Sequence, residues 1–102
     1  MRYRRNRPGG GGSLRLFVRV RGRVQGVGFR QATATEARRL GLTGYVRNAL
    51  QRDIVECEIQ GPPEAIERFL AWIRVGPPLA RVDAVETEPR PDGPDQDFVI
   101  RA

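Results

Sequence analysis

The chain contains no histidine and no lysine, one cysteine (Cys57) and one serine (Ser13). Each absence removes a chemistry. Without histidine there is no Cys/His zinc site and no histidine-based triad. A single cysteine closes no internal disulfide. Ser13 follows four consecutive glycines near the N-terminus, away from any patterned segment. No stretch has the apolar length of a membrane span or the apolar core of a signal peptide, so a cytoplasmic protein with no membrane partner is expected.

Arginine is what the chain has in quantity. All 18 basic residues are arginine against 12 acids, for a net charge of +6 over 102 residues. Residues 1–12 hold four arginines (Arg2, Arg4, Arg5, Arg7) and no acid, and the rest of the chain carries only +2. The opening "MRYRRNRPGGGGS" has no apolar periodicity and predicts a flexible Arg/Gly-rich arm over residues 1–13. One small domain over residues 14–102 is expected, large enough for a single two-layer core.

Apolar periodicity divides that domain. "LRLFVRV" alternates Leu14, Leu16, Val18 and Val20 against Arg15, Phe17 and Arg19, which predicts a strand. Phe29, Thr33, Ala37 and Leu40 then recur at helical spacing, with Gly41 as the stop. "TGYVRNAL" and "DIVECEI" predict a hairpin, the second strand placing Val55, Cys57 and Ile59 opposite Glu56 and Glu58. A second helix opens on prolines and carries Ile66, Phe69, Leu70 and Ile73 before ending at Gly76. Val82 and Val85 mark a strand whose change of phase predicts a bulge. "DFVIR" predicts an edge strand. The order β-α-β-β-α-β-β is that of an α+β, ferredoxin-like two-layer sandwich. Its expected form is an antiparallel sheet of four to five strands with two helices on one face. That fold hosts many functions and decides none.

The chemistry concentrates in "GRVQGVGFR", residues 22–30, where the first strand hands over to the first helix. A glycine-rich turn there can aim backbone N–H groups inward, and the helix N-terminus adds unsatisfied donors and the positive end of its dipole. Gly26 and Gly28 can adopt positive φ, and Arg30 can offer a bidentate fork to phosphate oxygens. Spacing alone equally allows a tight connection whose glycines only relieve sterics, with Arg30 solvated.

"GRVQGVGFR" together with "LGLTGYVRN" resembles the acylphosphatase family, with its G-x-V-Q-G-V-x-F-R loop and downstream G-aromatic-V-x-N. The segment "QGPPEAIERFLAWIRVGPPLARVDAVE" resembles that family's second half, so the likeness runs from residue 14 to 101. It implies a small monomeric hydrolase that cleaves the carboxyl–phosphate bond of acyl phosphates, with no cofactor and no metal. By position, the backbone amides of Gln25, Gly26, Val27, Gly28 and Phe29 would cradle the phosphate. Arg30 would be the phosphate-binding arginine and Asn48 the residue that holds the attacking water. Inorganic phosphate, the product, would inhibit. One departure is plain: the family usually has a glycine four residues after this asparagine, where this chain has Arg52. The hairpin turn is therefore expected to be one residue longer and differently shaped.

The absences fit that chemistry. A phosphoric–carboxylic anhydride already has a stable carboxylate as leaving group, so positioning and charge stabilisation suffice for its hydrolysis. The water's proton would pass to the substrate's own oxygens. Two alternatives stand beside this reading. An RNA-binding module shares the element order, but it needs stacking aromatics on its central strands. Glu56 and Glu58 there would repel phosphates, so no nucleic-acid partner is expected. A domain related to a hydrogenase-maturation carbamoyltransferase would keep the site. The chain ends without following zinc-finger cysteines, which favours a free-standing enzyme. Cys57 is expected in the core, and Arg23 and Arg47 flank the proposed site, either steering anions or simply solvated. Trp72 lies off the main face of its helix, and Glu36 lacks a carboxylate partner.

Overall fold

A computed structural model describes residues 12–102, so all but the last two residues of the expected arm lie outside the described residues. The elements are β1 (Leu14–Arg23), α1 (Phe29–Arg39), β2 (Thr43–Asn48), β3 (Ile54–Gly61), α2 (Pro63–Ile73), β4 (Arg81–Pro89) and β5 (Phe98–Ile100). They form one five-stranded sheet in the order β4-β1-β3-β2-β5. The alternation read from the sequence sets the faces. Val18 and Val20 of β1, Val46 of β2 and Val55, Cys57 and Ile59 of β3 are buried in one cluster with Phe29 of α1 and Ile66, Phe69 and Ile73 of α2. Side chains that alternate along strands meet side chains spaced at three and four along helices, and the two layers close.

Two strand features bear on the sequence expectations. The change of phase in β4 is a bulge: Arg21 pairs with Ala84 and Gly22 with Val82, leaving Asp83 as the extra residue. The sheet is not wholly antiparallel. β1, β2, β3 and β4 pair antiparallel, but β5 runs parallel to β2. The cause is the route of the chain. β4 ends beside the start of β1, where the Arg90 N–H donates to the Arg15 carbonyl. Residues 90–97 then cross the same end of the sheet to the start of β2, where the Gly44 N–H donates to the Asp97 carbonyl. From there the only direction left is that of β2.

The face away from the helices is an arginine–carboxylate lattice. Arg15, 7% exposed, pairs with Glu58 at 2.7 Å and with Asp95 of the crossing segment at 2.7 Å. Glu56 is bridged by Arg47 at 2.9 Å and Arg19 at 3.4 Å. The carboxylates expected to repel phosphates are thus neutralised in place. The aromatic rings are occupied instead: guanidiniums of Arg19 and Arg90 lie 5.2 and 4.8 Å from the Phe17 centroid, and Arg101 lies 4.0 Å from that of Tyr45.

Candidate active site

The connection from β1 to α1 is pinned at both ends. Val24 and Phe29 are each 1% exposed and sit in the core cluster, with Val27 partly buried against it. Between these anchors Gly26 (φ 75°) and Gly28 (φ 76°) hold left-handed backbone. A Cβ at either position would meet nothing within 4 Å among the described residues. Conformation, not space, therefore selects glycine there.

Gly28 is also the residue that caps α1, and among the described residues no side chain bonds to the cap. The first turn of α1 carries no acid. Among the described residues, the backbone N–H groups of residues 25–31 have no backbone acceptor outside the helix. An uncapped, acid-free N-terminus is a concentration of aimed donors and positive potential. These groups open on a hollow of 240 Å³ lined by Gly26, Gly28, Phe29 and Arg30 from this segment, by Asn48 at the end of β2 and by Ile100 of β5. The fold thus brings Arg30 and Asn48, 18 positions apart, to one cavity. The side chains of Gln25 and Val27 face elsewhere.

Arg30 is positioned by the C-terminal segment, which the sequence marked as an edge strand but not as a neighbour of the site. Its Nη1 donates to the Arg101 carbonyl at 2.8 Å, and the Arg101 N–H donates to the Val46 carbonyl at 2.8 Å. The parallel pairing of β5 with β2 is what delivers that carbonyl. Among the described residues Arg30 pairs with no carboxylate, unlike Arg15, Arg19, Arg21, Arg39, Arg47, Arg81 and Arg90. Its charge is therefore available to an anion in the hollow.

Gln25 does something that a backbone-amide assignment misses. Its side-chain Nε2 donates to the carbonyls of Ala49 (3.1 Å), Gln51 (2.8 Å) and Ile54 (2.8 Å). These belong to the hairpin turn that follows Asn48, the turn in which the sequence lacks glycine. The described residues include no non-glycine residue at positive φ. The turn closes through Ile54 N–H to the Gln51 carbonyl (3.2 Å) and Ala49 N–H to the Ile54 carbonyl (3.0 Å). Gln25 gathers the carbonyls that turn inward. Arg52, where the family has glycine, is simply exposed.

The remaining candidates fall outside this hollow. Cys57 is fully buried, and burial, helped by Glu58, pushes its thiol pKa far up. It is no nucleophile. Glu36 is clamped by Arg39 at 2.7 Å, whose hydrogen bond holds its carboxyl below the usual glutamate value. Trp72 covers the loop's anchor, its ring 6.4 Å from Phe29 and 6.2 Å from Phe69. Arg23 is exposed, and Arg47 is tied to Glu56.

Fold and hollow together define an α+β sandwich with an anion-receptive helix N-terminus facing one arginine. Comparison with known proteins narrows that class. The model of the family described as Acylphosphatase matches residues 16–100. An acylphosphatase of Burkholderia cenocepacia is 58% identical over 74 residues, covering 72% of this chain and 74% of that protein. The structure of an acylphosphatase from Coxiella burnetii superposes with a TM-score of 0.83 at 36% identity, over 87% of this chain and 93% of that one. Full-length HypF in its phosphate- and nucleotide-bound form matches with a TM-score of 0.81 at 25% identity, over 94% of this chain but 13% of that one. The chain belongs to the acylphosphatase family, and it is an enzyme of that family. The family implies a small-molecule acyl phosphate as substrate. Among the described residues no helix is long and apolar enough to cross a membrane.

Proposed function

We propose that the hollow between α1 and the end of β2 hydrolyses acyl phosphates without a protein acid or base. The phosphoryl group sits on the backbone amides of residues 25–30, with the Arg30 guanidinium forked onto its oxygens as charge spreads over them. The Asn48 carboxamide aligns a water in line with the bridging bond. The water oxygen bonds to phosphorus as the bridging P–O bond breaks. The electron pair leaves with the carboxylate, and the water's proton ends on the phosphate oxygens. Arg30 alone would make an anion site, and Asn48 adds the water.

One observation carries this reading. An uncapped helix N-terminus, two left-handed glycines and an arginine free of carboxylates, among the described residues, surround the same 240 Å³ hollow as Asn48. The likeness to HypF supports a second reading, the same hollow serving as one part of a larger phosphate-handling protein. The 58% identity to a small acylphosphatase favours the first. The test is incubation with benzoyl phosphate, following loss of the anhydride. Wild-type protein should turn it over, with inorganic phosphate competing. Absence of turnover above the spontaneous rate overturns the proposal.

A further inference from the structure

A second hollow adjoins the first. This groove of 570 Å³ runs between α1 and the segment after α2, and Gly28 and Gln31 belong to the walls of both. Asn48 and Ile100 line only the first hollow, whereas Trp72, Pro77 and Pro78 line only the groove. Asn48 thus belongs to the first hollow alone, and the groove opens from that hollow past Gly28 and Gln31. In-line displacement requires the leaving oxygen to lie opposite the attacking water. With water on Asn48, the groove beyond Gly28, a residue with no side chain of its own, is where the acyl group fits.

The groove's chemistry selects what that acyl group can be. Ala32, Trp72, Pro77 and Pro78 give it an apolar floor, with the indole held in place by Phe29 and Phe69. Two of its polar wall residues, Thr35 and Glu36, are engaged elsewhere, and Gln31 adds an uncharged carboxamide. The Thr35 hydroxyl donates to the Gln31 carbonyl at 3.0 Å, and both Glu36 oxygens accept from Arg39. Among the described residues no arginine lines the groove. We propose that this groove is the acyl subsite, taking uncharged apolar acyl groups, aromatic ones above all, and disfavouring acyl groups with a distal carboxylate. A carboxylate there would lose its water beside Glu36, whose partner Arg39 is already committed to it, and among the described residues no lining cation replaces that water. The proposal rests on the reading of Asn48 and Arg30 given above.

The experiment compares acetyl, benzoyl and succinyl phosphate on wild type and two variants. Thr35 lies on the exposed rim of α1, so Thr35→Trp fills the groove without touching the core or the phosphate hollow. It should lower kcat/KM for benzoyl phosphate about tenfold, the scale on which a shaped apolar pocket discriminates. Acetyl phosphate turnover and inhibition by inorganic phosphate should stay unchanged. Thr35→Arg should raise kcat/KM for succinyl phosphate about two- to fivefold, as an exposed ion pair permits. In wild type, benzylphosphonate should inhibit more tightly than methylphosphonate, a readout independent of turnover. A benzoyl-to-acetyl ratio unmoved by Thr35→Trp overturns the acyl subsite and leaves the phosphate hollow standing. Failure of wild type to hydrolyse any of the three overturns both.

Discussion

Gln25→Ala should cost turnover far more than phosphate affinity. The substitution keeps the backbone amide of residue 25 in the proposed cradle and removes only the carboxamide that donates to Ala49, Gln51 and Ile54. Two N–H groups serve three carbonyls, so the loss is that of about two full hydrogen bonds, about 1–3 kcal/mol. The turn retains its own two backbone bonds and a third from the Gly22 N–H to the Asp53 carbonyl at 2.9 Å. It should therefore loosen and not unravel. Asn48 adjoins the turn, so under the proposed mechanism the loss appears chiefly as time spent with its amide misplaced. If all of it is expressed in the reacting geometry, kcat falls by about 5- to 150-fold. Gln25→Glu keeps the shape but turns a carboxylate onto three carbonyl oxygens, so it should be worse than alanine at neutral pH. The assay is kcat on benzoyl phosphate alongside the inhibition constant for inorganic phosphate. The inhibition constant should move less than about threefold, since the phosphate's own donors stay in place. A Gln25→Glu variant with wild-type kcat, or equal losses in kcat and phosphate affinity for Gln25→Ala, would refute the reasoning.

Arg30→Ala should cost on the order of 10²–10³ in turnover with the fold intact by circular dichroism, and Arg30→Lys should not restore it, because a point charge cannot fork two oxygens. More than a third of wild-type turnover in Arg30→Ala would remove it from the site. Asn48→Ala should lower kcat with little change in phosphate inhibition; equal losses would make Asn48 a binding group. Turnover should be flat from about pH 5.5 to 7.5 once the substrate's own ionisation is allowed for, since no histidine is present. Glu36 cannot supply a step there. Its hydrogen bond from Arg39, against partial burial, depresses its pKa below the ordinary 4.5. The stability it contributes is complete above 4.5 and lost as pH falls through the lower folded value. The stability gap between wild type and Glu36→Gln should therefore close in urea melts as pH falls below 4.5. Arg15→Ala strands Glu58 and Asp95 and should cost about 2–4 kcal/mol, less than a fully buried pair because Arg90 and Tyr45 still face Glu58.

By itself the sequence determined the element order, the inward face of every core strand, the β4 bulge and the left-handed glycines beside Arg30. These are local properties: side-chain period, turn chemistry and backbone freedom act within a few residues of one another. Only the tertiary structure decided the rest. That β5 runs parallel to β2 follows from the end of the sheet at which β4 finishes, which no periodicity records. The carbonyl that holds Arg30 comes from Arg101, 71 positions away, and reaches it only through that pairing. A glutamine beside two glycines reads locally as one more amide in a loop. Its grip on the turn after Asn48 exists because the β1 end and the β2–β3 hairpin lie at the same edge of the sheet. Glu56 and Glu58 likewise read as bare negative charge along their own strand, because the arginines that neutralise them lie on neighbouring strands. Long-range pairing of this kind depends on distances that only the folded sheet defines.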